Sequence, residues 1–370
     1  MNALFVLGTR PEVIKLAPVI AACRPVIEVK VAATGQHREM LAQALATFGL
    51  VPDFAFDAMQ PDQGLSALAA RLIEGMDGVL AQANPDWVIV GGDTTTAFAT
   101  ALAAFHRRIR VAHVEAGLRT RDLAAPFPEE ANRAMLARLA TLHFAPTERA
   151  RDNLLAEGIA EAAIHVTGNT IVDAVAAIRA ASNPVVLEAA LPIRLDGSPI
   201  VLVTCHRREN FGPALANICE AIAHLSAHYP GHRFVFAVHP NPNILGSVRA
   251  RLGGVRNIEL IAPLDYPALL LLLGRSALVL TDSGGIQEEA PSFAVPVVVM
   301  RELTERGEGI EAGFATLAGR HPARILAAAR DWLDHPEKRA ALAGRPNPYG
   351  DGHASTRIRD LLLAVGASHG

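Results

Sequence analysis

The stretch "ALVLTDSGGIQEEA", residues 277–290, passes from an apolar run through a glycine turn into helix-forming residues. "ALVLT" reads as a buried strand. Gly284 and Gly285 let backbone N–H groups approach an anion, and a helix expected from near Ile286 aims its positive dipole end at the same place. Phosphate suits such a turn. One turn further on, Glu289 is placed to accept hydrogen bonds from the hydroxyls of a ribose joined to that phosphate, as acidic residues do in other nucleotide sites. An ordinary N-cap with Glu288 complementing the dipole is the plainer reading, and short Ser-Gly-Gly turns are common.

The same strand-then-helix unit recurs along the chain. Short β-branched runs stand at 4–8, 26–34, 87–92, 109–114 and 164–168, then again at 200–204, 233–238, 257–261, 277–281 and 295–300. Between them lie amphipathic stretches such as "PEVIKLAPVIAAC" and "EMLAQALATF", of a length suited to crossover helices. The pattern predicts two Rossmann-like, doubly wound α/β domains in series, facing a central cleft. The boundary is expected between 169 and 199, where 183–199 is Pro-containing and carries the turn signal "DGSP". Residues 1–168 would form the first domain, 169–352 the second, and a last helix from about 353 would pack back on the first.

Composition narrows the function. The chain has 370 residues, 51% hydrophobic, with 34 Lys plus Arg against 37 Asp plus Glu, a net charge of -3. That balance lacks the basic footprint of a nucleic-acid binder. Its cysteines, Cys23, Cys205 and Cys219, form no CxxC pair, which argues against a disulfide framework or a thiolate metal site. The apolar run before Gly8 is short for a secretory signal, and no run approaches the ~20 residues of a membrane span. A soluble, cytoplasmic protein is expected, with no metal or cofactor.

Ligands of open α/β sheets bind beyond the carboxyl ends of the strands. Polar and titratable residues gather there: "GTRPE" (8–12), "GGDTTT" (91–96), "HVEAGLRT" (113–120), "CHRREN" (205–210), "HPNP" (239–242) and "DSGGIQEE" (282–289). Arg10, Lys15, His206, Arg207 and Arg208 supply positive charge for phosphate. Lys15 reads equally well as a solvated helix face. Against them stand Asp93, Glu115, Glu129 and Glu130. Asp93 has the alternative of capping a helix from Thr94. Glu129 follows the stiff "PFP" turn. Carboxylates near a bound diphosphate repel it, so keeping both points to acid/base work on the group attached to the phosphate, and an activated sugar fits that need.

In order, the motifs "GTRPEVIKLAP", "GQHREML", "GGDTTT", "HVEAGLRT", "PFPEEANR", "VTGNTIVDA", "CHRREN", "HPNPN", "TDSGGIQEEAP", "MRELTER" and "NPYGDG" resemble those of the non-hydrolysing bacterial UDP-N-acetylglucosamine 2-epimerases, over about residues 4–360. The resemblance implies a fold like that of GT-B glycosyltransferases, a homodimer, and interconversion of UDP-N-acetylglucosamine with UDP-N-acetylmannosamine, a nucleotide sugar for cell-surface polysaccharide. It implies catalytic roles for Asp93, Glu115, Glu129 and His206. It implies UDP contacts from Arg10, His239, Ser283, Gly284, Gly285 and Glu289, with Lys15, Arg133 and Arg207 completing the substrate-binding set. Gln36 and Gln63 match a second, activator site for the same UDP-sugar, although Asp62 lies where some relatives carry arginine.

Three positions depart from the family pattern. Gly91 stands where a histidine is usual, Cys205 where a small residue is usual, and Gly307 where proline is usual. A related UDP-sugar, a hydrolysing reaction, a glycosyltransferase and a non-catalytic UDP-sugar sensor are the competing readings. His224, His228 and His232 are spaced four apart, but "HYPGH" ends the helix before His232, so a solvated face is expected. The sequence has neither a P-loop nor a GxGxxG turn.

Overall fold

A computed structural model describes residues 1–35, 38–60, 63–207 and 210–367. It divides into two compact units, Met1–Ala177 with Tyr349–Gly370, and Ile178–Pro348. Each is built on one parallel sheet.

In the first unit the strands are β1 (Asn2–Leu7), β2 (Glu28–Ala33), β3 (Phe54–Ala55), β4 (Trp87–Gly91), β5 (Arg110–Val114), β6 (Leu142–Ala145) and β7 (Ile164–Val166). They lie in the order β3-β2-β1-β4-β5-β6-β7, every pair parallel. In the second they are β8 (Ile200–Cys205), β9 (Arg233–Val238), β10 (Ile258–Ile261), β11 (Ser276–Thr281), β12 (Val297–Val299) and β13 (Ala315–Leu317). Their order is β10-β9-β8-β11-β12-β13, again all parallel. Two doubly wound α/β domains are therefore present, as the repeating pattern predicts.

The continuous apolar runs follow from burial on both faces. Along β1, Ala3, Phe5 and Leu7 enter a core with Val13, Leu16 and Ile20 of the helix Arg10–Cys23, while Leu4 and Val6 enter another with Met76, Leu80 and Ala101. The first of these cores also takes Ile358 and Leu362 from the helix Ala354–Ala367. The carboxylate of Asp173 accepts the amides of Ala354 (3.3 Å) and Ser355 (2.8 Å) that open this helix. Those bonds keep the start of the helix Thr170–Ala181 with the first unit, so the division falls at Ala177 and not at 168. The segment 183–199 also holds a short helix, Pro184–Ala190, capped by the Asn183 side chain on Val185 N at 3.0 Å. Among the described residues no single helix is long and apolar enough to cross a membrane.

Strand order reverses between β1 and β4 in one sheet and between β8 and β11 in the other. At such a point successive connections leave in opposite directions and open a crevice beyond the strand ends. The turns that fill these two places are "GTRPE" with "GGDTTT", and "CHRREN" with "DSGGIQEE".

Gly8 ends β1 where there is no room for a side chain. A methyl there would run into Thr96 and lie 2.9 Å from Oγ1 of Thr34, and both threonines are fully buried. Gly8→Ala is expected to lower unfolding stability by about 1–3 kcal/mol, as overpacking does; chemical denaturation against the parent protein measures it.

Candidate functional site

In the first unit a set of carboxylates is held by cations at the ends of β4 and β5. Lys15 is buried, and its Nζ donates to Oε1 of Glu115. The solvated-face reading of Lys15 is thereby excluded. Glu115 itself adopts φ +65°, a left-handed conformation costly for a residue with a Cβ, and such strain persists only where the surroundings enforce it. Asp93 pairs with Arg133, Oδ2 to Nη2 at 3.1 Å. It does not cap the next helix: Thr94 does, its hydroxyl accepting from Ala97 N at 3.1 Å. The Glu115 carboxylate borders Gly92, the residue before Asp93: a methyl there would lie 3.3 Å from Glu115 Oε2.

Arg133 is nearly inaccessible and reaches the Asp93 carboxylate, the Glu130 carboxylate at 3.3 Å and the Glu129 carbonyl at 3.4 Å. Glu130 accepts the amides of Thr120 (3.1 Å) and Arg121 (2.8 Å) and so pins the chain after Glu115. Glu129, partly exposed, opens the helix Glu129–Leu139 behind Pro128. Asn132 Nδ2 donates to the Asp93 carbonyl at 3.0 Å. His113 on β5 meets the Gly92 carbonyl through Nε2 at 2.7 Å. Burial pushes the His113 ring down to about 3 and that of His143 on β6 to about 4, so both are neutral at physiological pH. A neutral His113 bonded this way donates from Nε2.

In the second unit Asp282 organises the turns. Wholly buried, its carboxylate accepts from His206 N (3.0 Å), Arg207 N (2.9 Å) and Asn210 Nδ2 (2.8 Å). Arg207 Nε also donates to the Asp282 carbonyl at 3.2 Å. The His206 and His239 rings lie 6.3 Å apart, and burial lowers the His239 pKa. The helix begins at Gly284, not near Ile286, with Ser283 as N-cap. A methyl on Gly284 would fall 2.6 Å from Nη1 of Arg306. That guanidinium sits against the glycine turn, with Nε on Glu288 at 2.7 Å and Nη1 on Glu305. Arg301 Nη1 donates to Glu305 at 3.0 Å, and Arg207 comes within 3.9 Å of it. Glu288 is therefore a buried ion-pair partner and not a surface complement to the helix dipole. Glu289 is buried beside it.

The sequence-derived candidates thus fall into two groups, one at each switch point. Gln63 is partly buried, its Nε2 3.3 Å from the Ala58 carbonyl; Gln36, Asp62 and Arg208 lie outside the described residues. Cys205 is buried on β8, and burial raises its thiol pKa. Gly91 faces Leu16, whose Cγ a methyl there would approach to 3.2 Å. The helix bearing His224 and His228 ends at His228.

One residue escaped sequence reasoning. Glu12 is buried and accepts from Gly8 N (2.9 Å), Thr9 Oγ1 (2.9 Å) and Thr94 Oγ1 (2.6 Å). Thr-x-x-Glu at 9–12 is a capping-box pattern and was its available signal.

Residues 21–363 match the family model described as UDP-N-acetylglucosamine 2-epimerase. The chain belongs to the UDP-N-acetylglucosamine 2-epimerase family. It is 48% identical to the UDP-N-acetylglucosamine 2-epimerase of Salmonella typhimurium over the whole of both chains. The crystal structure of the Neisseria meningitidis UDP-GlcNAc 2-epimerase bound to UDP-GlcNAc superposes with a TM-score of 0.95 at 43% identity, covering 98% of this chain and 100% of that one. The Methanocaldococcus jannaschii UDP-GlcNAc 2-epimerase, in complex with UDP-GlcNAc and UDP, gives a TM-score of 0.87 at 33% identity, with 98% and 100% covered. The chain is an epimerase of this family, with its GT-B-like pair of parallel-sheet domains.

Desolvation raises the Glu12 carboxyl pKa from 4.5 to about 7 against the opposing hydrogen bonds of Thr94, Thr9 and Gly8. The folded protein then holds a proton that the unfolded chain has released, so this group's contribution to stability is full below pH 4.5 and is lost as pH rises to about 7. Thermal unfolding of the parent and of Glu12→Gln, measured from pH 4.5 to 8, is expected to show the parent's relative stability falling over that window; a constant difference would contradict the shift.

Proposed function

We propose that this protein epimerises carbon 2 of UDP-N-acetylglucosamine to give UDP-N-acetylmannosamine, by eliminating UDP to 2-acetamidoglucal and adding it back. The observation that carries the reading is the pairing at the β4 and β5 ends: the carboxylates of Asp93 and Glu115, each held by a buried cation. Acid/base groups fixed in this way suit proton transfer at a substrate carbon.

The chemistry explains why UDP must leave. The hydrogen on carbon 2 is not beside a carbonyl, so removing it alone would give an unstabilised carbanion. When the bond from carbon 1 to the phosphate oxygen breaks, that electron pair departs with UDP. The pair from the carbon 2–hydrogen bond then forms the double bond of the glucal, and the proton passes to a base. Re-addition reverses each step with the proton delivered to the opposite face. Two faces require two proton carriers, drawn from Asp93, Glu115, Glu129 and His206.

UDP has to be kept until it returns. Gly284 and Gly285 present backbone amides to the diphosphate, Ser283 and His239 contact UDP, Glu289 takes the ribose hydroxyls, and Arg10, Lys15, Arg133 and Arg207 supply or position positive charge. The active form is proposed to be a homodimer in the cytoplasm.

The purified protein incubated with UDP-N-acetylglucosamine alone in heavy water is expected to place deuterium at carbon 2 and to yield both UDP-sugars. Accumulating free N-acetylmannosamine would mean a hydrolysing enzyme; a requirement for an added acceptor would mean a transferase; no exchange would mean a sensor. Asp93→Asn and Glu115→Gln are each expected to lower kcat by about 100-fold or more, the scale of lost acid/base catalysis, with UDP affinity retained in calorimetry. Near-normal turnover in both variants would refute the carboxylate assignment.

A further inference from the structure

We propose that Glu12 is a positioning residue for this reaction, its buried carboxylate locking the turn that carries Arg10 to the turn that carries Asp93. The inference rests on the functional reading of Asp93 given above.

A capping box works within one helix: the N-cap hydroxyl accepts the amide of the third helical residue, and the acid at that residue reaches back to the N-cap amide. Thr9 and Glu12 hold those two positions, but half of the device is diverted. The Thr9 side chain makes no cap hydrogen bond and donates instead to Glu12 Oε2 at 2.9 Å. Oε2 also takes the Gly8 amide at 2.9 Å, while Oε1 leaves the helix for Thr94 Oγ1 at 2.6 Å. Thr94 belongs to the turn after β4, across the point where strand order reverses.

Thr94 has one hydroxyl proton. It is donated to Glu12 Oε1, while the Thr94 oxygen accepts from Ala97 N at 3.1 Å, so the one hydroxyl serves both the cap and the bridge. Both threonines bonded to Glu12 adjoin a candidate functional residue: Thr9 precedes Arg10, and Thr94 follows Asp93. The Asp93 carbonyl is fixed from the other side by Asn132 at 3.0 Å. Capping alone requires neither full burial nor a partner in a second turn. A clamp between the two turns requires both.

Glutamine at position 12 keeps the shape but has one acceptor oxygen, so its amide nitrogen faces either the Gly8 N–H, which cannot turn, or the Thr94 hydroxyl. The experiment measures kcat, KM for UDP-N-acetylglucosamine, UDP affinity and thermal midpoint for Glu12→Gln, Thr94→Val, Thr94→Ser and the double variant Glu12→Gln/Thr94→Val. Expected are a fall in kcat of about 10- to 100-fold in Glu12→Gln and in Thr94→Val, the scale of a small misplacement of reacting groups. UDP affinity should stay within about threefold, Thr94→Ser should restore most of the turnover, and the double variant should be little worse than either single one, as for residues acting through one contact. A lower thermal midpoint with unchanged kcat would reduce Glu12 to a cap and overturn the proposal, as would additive losses in the double variant. If Glu12→Gln does not fold, Thr94→Val tests the bridge from its other end, and normal kcat there overturns it. Failure of the underlying reading looks different: Asp93→Asn would itself turn over normally.

Discussion

At each switch point of this molecule a buried carboxylate gathers the backbone of the turn beside it. Asp282 accepts two amides from the turn after β8, and Glu12 takes the Gly8 amide and two threonine hydroxyls at the ends of β1 and β4. A carboxylate removed from water is costly unless donors replace the water, and an amide buried without an acceptor is costly as well. Each group needs the other, so the turns have little freedom. The placement of His206, Arg207, Arg10 and Asp93 follows from that mutual requirement.

A second layer of charge sits on this frame. Arg133 joins Asp93 to Glu130, Lys15 joins Glu115, and Arg301 and Arg306 tie Glu305 and Glu288 together next to the glycine turn. Breaking one member of such a buried pair leaves an uncompensated charge and costs more than the pair contributes to stability. Within the second unit, Glu288 and Glu305 stand close to the glycine turn proposed for a diphosphate, while Arg306 in contact with both limits the repulsion.

Much of this was legible in the sequence, and the exceptions have physical causes. Strands such as β1, β8 and β11 are buried on both faces, so their β-branched runs stand out whatever surrounds them. β3 and β13 are too short to show a pattern, and β6, "LHFA", carries a histidine where a strand signal expects an aliphatic side chain. The turns after the strands were found because polar residues concentrate there. What the linear pattern concealed were partners distant in sequence: Glu12 with Thr94, Arg133 with Asp93, Arg306 with Gly284. Lys15 stays open between a phosphate contact and a solvated face because its helix neighbours do not reveal that Glu115 meets it. Glu12 gives no sign of its partner at Thr94, because its local Thr-x-x-Glu pattern is complete within one helix.

The central claim is that the bond between carbon 1 and the phosphate oxygen breaks and re-forms during epimerisation. UDP-N-acetylglucosamine carrying oxygen-18 in that bridging position, incubated with the protein until the two epimers equilibrate, tests it most directly by phosphorus NMR. Over many turnovers the β-phosphoryl group of the detached UDP rotates, so the account predicts that label appears in the non-bridging oxygens. Label confined to the bridge after full equilibration would contradict it.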